Sequence, residues 1–269
     1  MLDVSHNPML VMASLAVSLM AGFTGLSLLH GASDMSLERR KLVVSLSAIV
    51  LGGGIWSMHF IAMLGMELPI DFYYDPLTTL ISALVAILVV GLALLVLHFR
   101  ERTWLSKAIA GALIGLGILA MHYLGMSGIR RCLPLYTVGG VTVAVLGSVA
   151  LSIGAVWIAY GQRTKRNILL GTACFGLAVF AVHFVAMAGT SFVAVEGAED
   201  LFPLIDNNLL AFIVTLGSFL ICGGFLLNTA TFAIAESNAR QASLAPDVPV
   251  ETEASVVQDE NGRSGTQKA

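Results

Sequence analysis

Hydrophobic positions in this chain come in long, nearly unbroken runs, not in the alternating or three-four spaced patterns of soluble strands and helices. The runs, rich in Leu, Ala, Val, Ile and Gly, cover approximately 9–30, 42–66, 77–99, 107–129, 138–161, 168–191 and 208–235. Each reaches the roughly 20 residues that a helix needs to cross the hydrocarbon core of a bilayer. A transmembrane barrel would show short alternating strands separated by turns, so the pattern predicts an all-α integral membrane protein with seven transmembrane helices. Residues 236–269 break the pattern: they are rich in Glu, Asp, Ser, Gln, Pro and Ala and offer too little apolar surface to bury a core. They read as a disordered tail after a membrane domain spanning 1–235.

Polar residues between the runs fix an expected orientation. Arg39, Arg40, Lys41, Arg100, Arg102, Lys107, Arg163, Lys165 and Arg166 fall in alternate connections on one side, which the bias of basic residues makes cytoplasmic. The opposite connections carry Glu67, Asp71, Asp75, Glu196, Glu199, Asp200 and Asp206, with only Arg130 and Arg131 as cations. The first eight residues have no Lys or Arg, so they lack the start of a cleaved signal peptide and the first run is a retained helix. The N-terminus is then outside and the C-terminus inside, in a multi-pass arrangement in the plasma membrane. A tail of about 34 residues is too short for a catalytic domain of ordinary size, so the expected output passes to a separate cytoplasmic protein.

Composition agrees with this setting, at 57% hydrophobic and 12% charged residues and a mean hydropathy of +0.87. The net charge of −3 is distributed by topology and says nothing about nucleic acid; no basic recognition element is present, and membrane lipid is the expected partner. The three cysteines have no spacing that suggests a disulfide framework or a zinc motif, though Cys132 in an outer connection is placed for an intermolecular bridge. No nucleophile-base pair, phosphate loop or paired intramembrane carboxylate marks an enzyme.

The runs also repeat. Asn7-Pro8-Met9 opens the first and Asp75-Pro76-Leu77 the third, while Met58-His59-Phe60 with Met63, Met121-His122-Tyr123 with Met126, and Val182-His183-Phe184 with Met187 lie late in the second, fourth and sixth. Each unit is one helix in each direction, so three copies keep one orientation, and the chain reads as three parallel two-helix repeats plus a final helix. Gly25, Gly91, Gly115, Gly117, Gly154, Gly171, Gly176, Gly223 and Gly224 would allow close helix contact in such a bundle. Counting to the next polar residue places the three histidines about 12 Å below the outer helix ends. A histidine and the methionine four positions later share one helix face.

Polar side chains inside a membrane are costly, and three at one depth point to a ligand role. Thioether sulfur suits cuprous copper and imidazole suits copper in either oxidation state, which puts copper ahead of zinc, calcium or magnesium. Haem held by two histidines, or by His and Met, is the alternative cofactor. In the metal reading, hydroxyls such as Ser57 or Ser127 could accept the second ring N–H. His30 and His98 lie at the basic helix ends, and His6 lies outside, where it could gate or extend the site.

At these residues the chain resembles the MHYT family of membrane-integrated bacterial sensory domains, over essentially 5–235. The resemblance rests on Gly54-Ile55-Trp56-Ser57-Met58-His59-Phe60-Ile61-Ala62-Met63 with Leu68-Pro69 and Tyr74-Asp75, and on Gly117-Ile118 through Met126. It implies a seven-helix sensor that binds copper near the outer face and responds to oxygen, carbon monoxide, nitric oxide or redox state. Its ligands by position are Met58, His59, Met63, Met121, His122, Met126, His183 and Met187. Val182 stands where the third copy should carry Met, and Phe60 and Phe184 stand where the pattern has tyrosine, so the His and later-Met positions are the ones all three copies keep. Copper transport or delivery is the rival function; it would call for a second ligand layer deeper in the bundle.

Overall fold

The computed structural model describes residues 1–101, 103–161, 165–195, 207, 209–210, 212–225 and 227. The chain divides into two units, Met1–Thr229 and Ala230–Ala269, and the described residues belong to the first. The expected tail 236–269, the acidic residues Glu196, Glu199, Asp200 and Asp206, and the basic residues Arg102 and Arg163 lie outside the described residues.

Among the described residues there are six long helices: α1 (Pro8–Leu28), α2 (Leu37–Leu64), α3 (Pro76–Phe99), α4 (Trp104–Ser127), α5 (Val138–Ala159) and α6 (Lys165–Ala188). All six are long and apolar enough to span a membrane, and Phe212–Phe225, here α7, is a shorter apolar helix inside the expected seventh run. The outward faces are apolar, as lipid contact demands. On α3 the side chains of Leu77, Leu80, Leu84, Leu88, Leu92 and Leu95 form an exposed stripe at helical spacing. The protein is therefore a multi-pass, helical membrane protein.

Six short strands were not foreseen in the sequence. They form three antiparallel pairs, β1 (Ser5–His6) with β2 (Met66–Glu67), β3 (Tyr73–Tyr74) with β4 (Ile129–Arg130), and β5 (Cys132–Tyr136) with β6 (Thr190–Ala194). Each pair joins the segment before an odd helix to the segment after the even helix of the same repeat. The helix starts explain why. Asn7, Asp75 and Thr137 are N-caps whose side chains accept from the N–H of Met9, Thr78 and Gly140, and Pro8 and Pro76 follow where a missing N–H costs nothing. Their own N–H groups donate to the carbonyls of Gly65, Gly128 and Gly189, at 2.7, 2.8 and 3.1 Å. The third repeat thus opens at Thr137, a start the Asx-Pro signature does not reveal.

Around the bundle each helix packs on its sequence neighbours and α1 closes on α6, while α2, α4 and α6 also touch one another. The result is a ring in which the even helices face the centre. Close approach depends on glycine. A Cβ on Gly52, Gly115 or Gly176 would meet the next odd helix: Ile87 Cα at 2.5 Å, Ser148 O at 2.7 Å and Leu19 Cα at 3.2 Å, respectively. All three stand seven residues before a motif histidine. Among the glycines singled out in the sequence, Gly25, Gly117 and Gly171 also make such contacts, whereas Gly154, Gly223 and Gly224 face open space. Buried Ser18 and Ser148 donate across the same seams to the carbonyls of Gly176 and Gly115, at 3.2 and 2.8 Å.

At the end opposite the strands, Arg40 donates to the carbonyls of Ala32 (3.1 Å) and His98 (3.4 Å). His98 is buried there and its Nε2 lies 3.0 Å from the Tyr160 hydroxyl, so its ring is held inside the bundle and does not snorkel. Arg39, Lys41, Arg100, Lys107, Lys165 and Arg166 lie at the helix ends on this same side.

Candidate metal centre

His59, His122 and His183 each stand five residues before the last residue of their helix. Threefold repetition therefore carries them to one level, and the inward face of each even helix carries them to one point. That level is about 8 Å below the helix ends, shallower than the sequence suggested, because each chain leaves its helix at the glycine six positions after the histidine and turns into a strand. All three side chains are almost completely buried, at 1–2% exposure.

Their Nδ1 atoms converge. His59 Nδ1 lies 3.1 Å from His183 Nδ1 and 3.2 Å from His122 Nδ1, and a ligand nitrogen from each ring falls within 4.8 Å of the other two. The rings pack edge-on, with centroids 4.9, 5.1 and 5.3 Å apart. Three neutral imidazoles cannot satisfy this arrangement among themselves. Each ring carries one N–H and one lone pair, and one Nδ1–H can serve only one of the two contacts at His59. On the far side, the Nε2 atoms of His122 and His183 are buried and have no partner among the described residues.

A cation among the three rings would take up the Nδ1 lone pairs and leave each proton on Nε2. Nitrogen ligands at about 2.0–2.1 Å from a metal stand about 3.3–3.6 Å apart, close to the spacing here, so a small expansion would admit an ion among the three Nδ1 lone pairs. The donor set fits. The expected hydroxyl acceptors are elsewhere: Ser127 is exposed and donates to Leu124 O, and Ser57 lines an apolar cavity of about 320 Å³ between α2, α3 and α7.

The methionines divide into two layers. Met63, Met126 and Met187 are buried in a cluster with Phe60, Met66, Tyr74, Ile129, Cys132 and Phe192 at the strand end. Met58 and Met121, with Val182, belong to the larger core cluster that extends toward the basic end. The four-residue spacing therefore puts three thioethers together above the histidines, while the residues before the histidines pack among helices. Gly125, three positions after His122, is also part of the site and was not anticipated. A Cβ there would lie 2.7 Å from His59 Nε2, so its absence makes room for that ring. Ala62 and Ala186 occupy the matching positions in the other copies.

The strand end closes over this centre with groups held neutral by burial. Tyr74 is pushed well above its ordinary pKa, first by burial and then by nearby Cys132, and Tyr136 is pushed up to about 12 by burial and by Tyr123. The Cys132 thiol is pushed up to about 11 by burial. It is 3% exposed, so it is not available for the intermolecular bridge that the sequence suggested. Asp75 behaves oppositely: hydrogen bonds from the Thr78 hydroxyl and N–H, with Arg130 beside it, hold its carboxyl below the usual range.

Comparison with known proteins agrees with this architecture. The MHYT family model, described as a bacterial signalling protein N-terminal repeat, matches residues 52–111 and 115–172. Both windows open on the glycine seven positions before a motif histidine. The bifunctional diguanylate cyclase/cyclic di-GMP phosphodiesterase MucR of Pseudomonas aeruginosa is 34% identical over 227 residues, covering 80% of this chain and 32% of that protein. The cyclic di-GMP phosphodiesterase NbdA of the same bacterium is 31% identical over 191 residues, 68% of this chain and 24% of the relative. Signaling protein YkoW of Bacillus subtilis is 25% identical over 200 residues, 71% and 25% of the two chains. The chain thus spans about a third or less of the length of these curated relatives, and no solved structure matches it. With the repeat matched twice, and with signalling proteins aligned over most of its length, this chain belongs to the MHYT family of bacterial signalling proteins.

Proposed function

We propose that the chain is a membrane-embedded signal sensor that binds copper through His59, His122 and His183, with Met63, Met126 and Met187 as soft ligands on the strand side. The observation that carries the reading is the convergence of the buried Nδ1 atoms of His122 and His183 on His59 Nδ1, at 3.2 and 3.1 Å, two contacts of which neutral rings can satisfy only one. Thioethers stacked above imidazoles favour copper over harder ions. Met58 and Met121 rank below these six because they pack in the other cluster.

In this reading the strand end faces outward and the basic helix ends face the cytoplasm of the inner membrane, following the distribution of Arg and Lys, with α7 as the seventh span and 236–269 as a cytoplasmic tail. Oxygen, carbon monoxide, nitric oxide or a change of redox state alters how strongly the centre draws α2, α4 and α6 together. Each of these helices is locked by glycine to the next odd helix, so a change at the centre shifts the whole ring between two packings. Signalling requires that the stimulus favour one of them. Output goes to a signalling protein at the basic end, and the names of MucR and NbdA support cyclic di-GMP turnover as the class of that output.

The test is elemental analysis with an optical spectrum of detergent-purified protein, comparing wild type with His59→Ala/His122→Ala/His183→Ala. Copper in the wild type that is absent from the variant, with no Soret band, is the expected result. A Soret band would move the site to haem, and no metal in either protein would reduce the histidines to packing.

A further inference from the structure

The strand end repeats as faithfully as the helices. Directly before each N-cap, one cross-strand pair closes a copy: His6 opposite Met66, Tyr74 opposite Ile129, and Tyr136 opposite Thr190. The ring of each first member packs edge-on against the aromatic residue that follows a motif histidine of the neighbouring copy. Tyr74 meets Phe60 at 5.2 Å, Tyr136 meets Tyr123 at 5.0 Å, and His6 meets Phe184 at 5.6 Å. Three equivalent rings therefore roof the trihistidine level.

Packing asks only for a flat ring at these positions, and two copies meet the demand with tyrosine. The first copy departs from the others at both members of its pair, with imidazole for phenol and thioether for the isoleucine or threonine opposite. Residues directly opposed on an antiparallel ladder share one face, with Cβ atoms about 4.5–5.5 Å apart. His6 Nε2 is buried and has no partner among the described residues, and Met66 is 3% exposed. Imidazole beside thioether is again a donor set for a soft ion. Below it, Met66 belongs to the same cluster as Met63, Met126 and Met187, and Phe184 bridges the ring of His6 to that of His183, which it meets at 4.8 Å.

We propose that His6 and Met66 form a loading site for a soft monovalent metal ion at the strand end, from which the ion passes through the methionine layer to the trihistidine centre. The proposal rests on the copper reading of that centre. It gives the threefold site one asymmetric mouth, set by the two residues that break the repeat.

The decisive variant is His6→Tyr/Met66→Ile, because the same fold position already holds that pair in the second copy. Full-length protein in detergent is supplied with cuprous ion buffered by a competing chelator, and uptake is followed by chelator absorbance, with melting temperature measured in parallel. The expected result is loading of the trihistidine centre slowed by about tenfold or more, with unchanged final occupancy of that centre and unchanged melting. In the triple histidine variant, one weak cuprous or silver(I) equivalent should persist and disappear when His6→Tyr/Met66→Ile is added. Equal loading rates in wild type and the cap variant would overturn the proposal while leaving the copper centre intact. A wild type that takes up no cuprous ion would overturn both.

Discussion

The even and odd helices of this ring are built from the same amino acids yet do different work. In α2, α4 and α6, 61, 56 and 50% of the apolar window is buried, against 39, 39 and 28% in α1, α3 and α5. The even helices carry the histidines, the methionines and the glycines seven positions before each histidine. The odd helices carry the N-caps at the strand end, the seam serines Ser18 and Ser148, and, on α3, the leucine stripe that faces lipid. Hydropathy leans the same way, each odd helix being more apolar than the even helix of its repeat, because a lipid-facing surface offers no partner to a polar side chain. What separates them is the placement of small and polar residues, which only a protein interior rewards.

The contrast is sharpest at the metal centre. His59→Ala should abolish stoichiometric copper while leaving a folded ring, whereas loss of an odd-helix hydroxyl such as Ser152→Ala should leave copper unchanged; metal content per protein after gel filtration reads both. Next in size is helix packing. Gly115→Ala drives a Cβ into the Ser148 carbonyl, and because backbone cannot yield as a side chain can, we expect ~1–3 kcal/mol of destabilisation. Gly147→Ala and Gly154→Ala, on the open side of α5, should stay within about 0.5 kcal/mol. Unfolding in mixed micelles measures the difference, and equal losses would dissolve the distinction between the seam and the lipid face.

Smaller effects refine it. Gly125→Ala presses on His59 Nε2, the far end of a side chain, so the ring turns, copper affinity falls about tenfold and stability changes little; competition with a cuprous chelator reads the affinity. At the odd-helix starts, Asp75→Ala removes the N-cap bonds to Thr78 and should cost ~1 kcal/mol at neutral pH. Because folding lowers the Asp75 pKa, its contribution is complete above the ordinary carboxylate range and fades as pH falls through the depressed value. Wild type and Asp75→Ala should therefore converge in stability in acid, as a pH series of melting temperatures would show.

Much of this was legible before the structure. The six long helices begin and end within a few residues of the apolar runs, except that α2 starts at Leu37, five residues before its run, and the three His/Met motifs hold the histidines that the fold brings together. The repeat held more signal than was first read from it. Aligning the chain on His59, His122 and His183 brings Gly52, Gly115 and Gly176 into one column and Gly65, Gly128 and Gly189 into another. The first column forms the seams and the second ends the helices beneath the strands. The strands themselves escaped notice because ladders of two to five residues show little periodicity, and their partners lie 54 to 62 residues apart in the chain.

The sequence by itself determined the membrane setting, the helices, the repeat and which histidines and methionines recur at one place in each copy, because these follow from local hydropathy, helix geometry and the cost of polar groups in lipid. Only the tertiary structure decided that the three Nδ1 atoms point at one another, that the two methionine sets fall in separate layers, that Cys132 is sealed away, and that His6 and Met66 stand together. Those outcomes depend on the rotation of each helix within the ring and on the register of each strand pair. Contacts between residues far apart in the chain set both, and no local pattern encodes them.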